Sequence, residues 1–122
     1  MTATSTPTDP EPDASTKAAA EALPHPAVEE IELASVLHAL SDPMRLKIVH
    51  VLATGGEHTC KSIDLPVTKS TCTHHFRVLR EAGVMSQRLE GTTRLNALRR
   101  ADLEARFPGL LDSVLRAAGV VR

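Results

Sequence analysis

The sequence predicts one mainly α-helical domain that carries a two-stranded β-ribbon. Two observations predict it. Apolar residues recur at helical spacing in successive blocks between residues 27 and 118, and Pro or Gly punctuates the blocks at Pro43, Gly55-Gly56, Pro66, Gly83 and Pro108-Gly109. Only residues 84–98 break this rhythm, reading as two short strands about a Glu90-Gly91-Thr92-Thr93 turn.

Residues 1–26 are rich in Thr, Ala, Ser, acid and Pro, with Pro7, Pro10, Pro12, Pro24 and Pro26 spread through them. They are expected to form a disordered acidic tail, leaving 27–120 as the folded domain. The net charge of −1 conceals an asymmetry. Residues 1–32 hold seven carboxylates against Lys17 alone, whereas the remainder is modestly basic and holds five of the six His. A basic body suits a polyanionic partner. No apolar run approaches the roughly 20 residues of a membrane span. The first residues lack the order of a secretory signal, so a cytoplasmic protein with reduced thiols is expected. Phe76 and Phe107 are the only aromatics. This argues against single-strand or RNA binding, which uses aromatic stacking platforms.

The first helix is expected over Ala27–Leu40, with Ile31, Ala34, Leu37 and Leu40 inward and the Glu29, Glu30, Glu32 cluster at its positive end. Ser41-Asp42-Pro43 stops it and caps a second helix, Pro43 to about Ala53, with Met44, Ile48, Val51 and Leu52 inward and Arg45, Lys47 and His50 outward. Residues 57–65 have room for a short helix at most, followed by a turn through Pro66.

Thr68 to Ala82 is the organising stretch. At 100° per residue, Cys72, His75, Phe76, Val78, Leu79 and Ala82 share one arc, and Lys69, Ser70, Thr73, His74, Arg77, Arg80 and Glu81 share the other. Short hydroxyls, an imidazole and cations on one face suit a helix set into the major groove of DNA. A solvated amphipathic helix has the same pattern, so the neighbours matter. A short helix, a tight turn and this helix make a helix-turn-helix, with the second helix as reader. The ribbon after Gly83 then reads as a wing, with Arg88 and Arg94 flanking its tip; an ordinary hairpin with solvated arginines is the alternative. The candidate DNA-binding residues are Thr68, Lys69, Ser70, Thr73, His74, Arg77, Arg80, Arg88 and Arg94. Beyond the wing, Arg99–Phe107 and a stripe of Leu110, Leu111, Val114, Leu115 and Ala118 predict two more helices, the last needing cover from a second copy of the chain.

Read together, Ala39-Leu40-Ser41-Asp42-Pro43-Met44-Arg45-Leu46 and Ser70-Thr71-Cys72-Thr73-His74-His75-Phe76-Arg77-Val78-Leu79-Arg80-Glu81-Ala82-Gly83-Val84 resemble the ArsR-type family of bacterial winged helix-turn-helix repressors, over about residues 31–118. The resemblance implies a homodimer held by its first and last helices, an inverted-repeat DNA operator, and repression lifted by an inducer, here of unknown chemistry. The metal-responsive members' phrase with two thiols before the reader helix is replaced by Glu57-His58-Thr59-Cys60-Lys61-Ser62, with one thiol. No His follows His75, so the family's other metal site, on the last helix, cannot be built from imidazoles.

A soft-metal site needs three or four converging ligands, and His58, Cys60 and Cys72 are the nearest candidates, with His74 and His75 behind them. Their spacing is poor, so no metal or cofactor is expected. A Cys60–Cys72 redox pair is the other thiol reading. No nucleophile elbow or paired carboxylates occur, so an enzyme is not expected. The alternatives to a DNA-binding repressor are a winged-helix protein-interaction module and a thiol- or metal-responsive form of the same repressor.

Overall fold

The computed structural model describes residues 21–63 and 65–119. In order they form strand β1 (Glu21–Ala22), a 3-10 turn (Val28–Glu30), α1 (Leu33–Ala39), α2 (Pro43–Leu52), β2 (His58–Thr59), a second 3-10 turn (Cys60–Ser62), α3 (Lys69–Ala82), β3 (Met85–Glu90), β4 (Thr93–Leu98), α4 (Arg100–Arg106) and α5 (Leu110–Ala117). The helices surround a core built on Ile31, Val36, Ile48, Leu52, Phe76, Leu79, Met85 and Leu115. No described helix is long and apolar enough to cross a membrane.

The predicted ribbon is the centre of a four-stranded antiparallel sheet of order β1-β3-β4-β2. Glu21 and Ala22 pair with Leu89 and Arg88, and the Leu23 amide donates to the Gln87 carbonyl at 2.9 Å. The expected disorder therefore does not extend through residues 21–26; residues 1–20 of the predicted tail lie outside the described residues. The carbonyls of Pro24 and Pro26, which prolines keep free of helix bonding, accept from Arg80 Nε at 3.0 Å and Arg99 Nη1 at 2.7 Å. On the opposite edge, β2 and the Cys60–Ser62 turn take the place of the short helix allowed over 57–65. Thr59 accepts from the Ser62 amide at 3.3 Å and so caps that turn.

The first helix is shorter than its periodicity suggested. Ile31 is extended, and the helix restarts at Leu33. This resets the buried face to Val36, Ala39 and Leu40, and leaves Ala34 and Leu37 exposed. Glu29 and Glu30 belong to the preceding turn, where Glu30 accepts from the Ala27 amide at 2.9 Å. Ile31 is held because it packs against Gly83: a Cβ there would stand 2.7 Å from Ile31 Cγ1.

Asp42 caps α2 as expected, accepting from the amides of Met44 at 2.7 Å and Arg45 at 3.2 Å. Arg45 departs from the prediction. It is buried rather than outward. Its guanidinium donates to the carbonyls of Ala39 at 2.7 Å and His38 at 3.4 Å, and reaches His75 Nδ1 at 3.1 Å. It thus adds donors at the negative end of α1, where the His38 carbonyl also accepts from the Ser41 amide and hydroxyl.

The last helix finds part of its cover within the monomer. Leu111 and Leu115 are fully buried, Leu110 and Val114 half-buried against the same core, and Ala118 exposed. Among the described residues, the large apolar side chains most open to solvent are Leu33 and Leu37, 46% and 45% exposed, one turn apart on α1.

Candidate nucleic-acid interface

The α3 helix begins at Thr68, whose hydroxyl accepts from the Thr71 amide at 3.2 Å, and ends at Gly83, in the left-handed region at φ 90°. His75, Phe76, Leu79 and Ala82 are buried, and Cys72 and Val78 half-buried against the core. His75 receives the Arg45 contact, so it is a structural residue, as the arc suggested. Lys69, Ser70, Thr73, His74 and Arg77 are all exposed, giving α3 an open polar face from its first turn to its middle.

Arg80 is different. Besides Pro24 it donates from Nη1 to Gln87 Oε1 at 2.6 Å. Gln87 Nε2 then donates to Asn96 Oδ1 at 2.7 Å, and Asn96 Nδ2 donates to the His58 carbonyl at 2.9 Å. Gln87 and Asn96 are paired across β3 and β4 and fully buried. This chain of donors fixes the angle between the reader helix and the wing. Sequence reasoning passed over it, although polar Gln87 stands where strand alternation from Met85 requires an inward residue. Burial lowers the pKa of Arg80; Glu81 opposes this, and the charges of Arg94 and Arg77 push the same way as burial. Arg77, Arg80 and Arg94 therefore form one cationic neighbourhood.

The two wing arginines lie on opposite faces. Arg94 pairs with Leu89 and so shares the face of Gln87 and Asn96, toward α3. It is exposed. Arg88 pairs with Leu95 on the outer face. It is held bidentately by Glu57, Nε to Oε2 at 2.6 Å and Nη2 to Oε1 at 2.8 Å. That hydrogen-bonded pairing lowers the Glu57 carboxyl below its ordinary value and raises Arg88.

Between the start of α3, the Cys60–Ser62 turn and the inner face of the wing lies a cleft of about 620 Å³. Cys60 and Cys72 both line it, and both are free thiols. Burial raises the Cys72 thiol, and the charge of Cys60 adds to this. Among the described residues no group of three or more His, Cys, Asp or Glu is arranged to hold a metal ion. His58 instead turns its Nε2 to the Gly55 carbonyl at 2.9 Å.

Known proteins share this arrangement. A family profile described as a helix-turn-helix domain matches residues 40–88, from the end of α1 into β3. The chain is 33% identical over 84 residues to YceK of Bacillus subtilis, an uncharacterised HTH-type transcriptional regulator, covering 66% of this chain and 84% of that one. It is 38% identical over 63 residues to a Staphylococcus aureus homologue of the cadmium resistance transcriptional regulatory protein CadC, covering 50% of this chain and 52% of that protein. A crystal structure of a possible transcriptional regulator for arsenical resistance superposes with a TM-score of 0.54 at 28% identity, covering 75% of this chain and 99% of the other. The ArsR family transcriptional regulator RHA00566 superposes at 0.57 over 74% of this chain and 98% of its own, with 20% identity, a likeness of fold. With its capped reader helix, its wing and these relatives, the chain belongs to the ArsR-type family of winged helix-turn-helix, DNA-binding transcriptional regulators.

Proposed function

We propose that the protein is a homodimeric repressor that sets α3 into successive major grooves of an inverted-repeat operator. The observation that supports this most is the open polar face of α3 beside an exposed Arg94. In this reading Lys69, Ser70, Thr73 and His74 meet base edges and nearby phosphates, and Arg77 and Arg94 meet phosphates. Thr68 holds the helix start, its hydroxyl engaged with Thr71. Arg80 serves by bracing the wing against α3, and Arg88 by anchoring the wing's outer face to Glu57. This gives both arginines a supporting role, away from the DNA itself. Leu33 and Leu37 on α1 supply exposed apolar surface for a second copy.

Two reader helices related by a two-fold axis would meet half-sites about 34–36 Å apart. Footprinting on the DNA upstream of the protein's own coding sequence tests the proposal. Two protected half-sites one helical turn apart, with transcription from that DNA falling as protein is added, are expected. Binding without sequence preference at any salt, or as a monomer, overturns it.

A further inference from the structure

The cleft beside α3 has a chemistry that DNA reading does not use. Two half-buried thiols, Cys60 and Cys72, line it together with Lys61, Lys69, Arg94 and Thr73. Opposite-sign groups are missing from this lining: every ionisable side chain other than the thiols is a cation. We propose that the cleft is a thiol–disulfide exchange site for an anionic low-molecular-weight disulfide, with Cys60 the attacking thiol and Cys72 the resolving one.

The order of attack follows from the surroundings. Cys60 opens its 3-10 turn next to Lys61, and Asn96 Nδ2 points an N–H at its Sγ from 3.9 Å. The exposed Lys61 beside it offers a cation to the anionic ligand as its disulfide nears the Cys60 sulfur, and the thiolate is the form that attacks. Cys72 sits lower, on the core side of α3, where burial and the charge on Cys60 keep its proton on. The Cys60 thiolate attacks one sulfur of the ligand R–S–S–R. The ligand's S–S bond breaks, a Cys60–S–S–R bond forms, and RS⁻ leaves and takes up the proton that Cys60 gave up. Capping Cys60 removes the charge that adds to the effect of burial on Cys72. The Cys72 thiolate then attacks the Cys60 sulfur, and a second RSH departs with the Cys72 proton. Two protein thiols are oxidised to one disulfide, and one ligand disulfide is reduced to two thiols. Closing the bridge draws the Cys60–Ser62 turn onto the reader helix between Lys69 and Thr73. The effect on operator binding rests on the proposed DNA-reading role; the exchange chemistry does not.

Reduced full-length protein is treated with oxidised glutathione, and its intact mass and operator affinity are measured together. The expected mass is lower by the two hydrogens of one intramolecular disulfide, with affinity down about tenfold or more, a loss of roughly 1.4 kcal/mol, and restored by reductant. Cys72→Ser is expected to stop at one glutathione adduct, mapped to Cys60 by peptide mass, and Cys60→Ser to react far more slowly. The neutral bis(2-hydroxyethyl) disulfide is expected to react more slowly than glutathione disulfide, with the gap narrowing as salt rises. An adduct on wild type that never resolves, a disulfide only between chains, or equal reaction of the two single variants overturns the exchange site. An intramolecular disulfide that leaves operator affinity unchanged overturns the coupling to DNA while leaving the site intact. If the reduced protein binds no DNA at all, the DNA reading fails, and the mass arm still decides the chemistry.

Discussion

Replacing each wing arginine in turn by alanine separates the two faces of the wing. Each neutralised phosphate adds about 0.9 to the slope of log affinity against log salt, so removing one phosphate-binding cation from each of two protomers lowers the slope by about 1.8. Arg94 faces the reader helix and is exposed, whereas Arg88 lies on the outer face with its guanidinium spent on Glu57. Arg94→Ala should therefore flatten the salt dependence by about 1.8. Between 50 and 200 mM salt, wild type should then lose about twelvefold more affinity than the variant. Arg88→Ala should leave the slope unchanged. Fluorescence anisotropy on a labelled operator duplex across a salt series provides both slopes. A flattened slope for Arg88→Ala with an unaltered one for Arg94→Ala would refute the assignment of faces.

Thr73→Ala should cost about 1–3 kcal/mol at one base position of the operator and little on random DNA, as competition binding with single-position operator variants would read out. Gly83→Ala combines the left-handed backbone with a Cβ 2.7 Å from Ile31, so it should destabilise the fold by about 2–4 kcal/mol in urea melts. Leu37→Glu places a charge on the exposed apolar pair of α1 and should shift sedimentation toward the monomer with the far-ultraviolet spectrum unchanged. Acid should destabilise the fold. Burial raises the Asp42 carboxyl, but amide donors from Arg45 and Met44 and the Arg45 charge outweigh it, so Asp42 ends below its ordinary 3.8. Glu57 is lowered from 4.5 by its Arg88 hydrogen bonds. Both lowered groups stabilise the fold fully above their ordinary values, and that stability is lost as pH falls from about 5 toward and through their folded values, as melting followed against pH would detect. Asp42→Asn should blunt that loss.

Local signals were readable where side chain and backbone agree. Thr68 and Gly83 mark the ends of α3 through capping chemistry that needs no tertiary context, and the wing announces itself by its turn. The buried arc of α3, His75 included, follows from period alone. What escaped depends on distant partners. Arg45 reads as outward because cations usually are; it is buried because the end of α1 supplies carbonyls that its neighbours in sequence do not. Leu37 sits on the expected apolar period, but Ile31 breaks the helix to fill the space over Gly83 and shifts the phase. Among the candidate site residues, Arg80 and Arg88 were picked by position; their engagement with Gln87, Pro24 and Glu57 spans sequence separations that periodicity cannot see.

Strands of two residues lie along both rims of the sheet, β1 along β3 and β2 along β4. A bare wing would offer two six-residue ladders to any passing extended chain, the geometry from which edge-to-edge aggregates grow. Among the described residues, β1 covers Arg88 and Leu89 of β3 and β2 covers Leu95 and Asn96 of β4, so a passing chain meets no uninterrupted run of six. A truncation that removes Glu21 and Ala22 would reopen one ladder, making loss of solubility its first visible consequence.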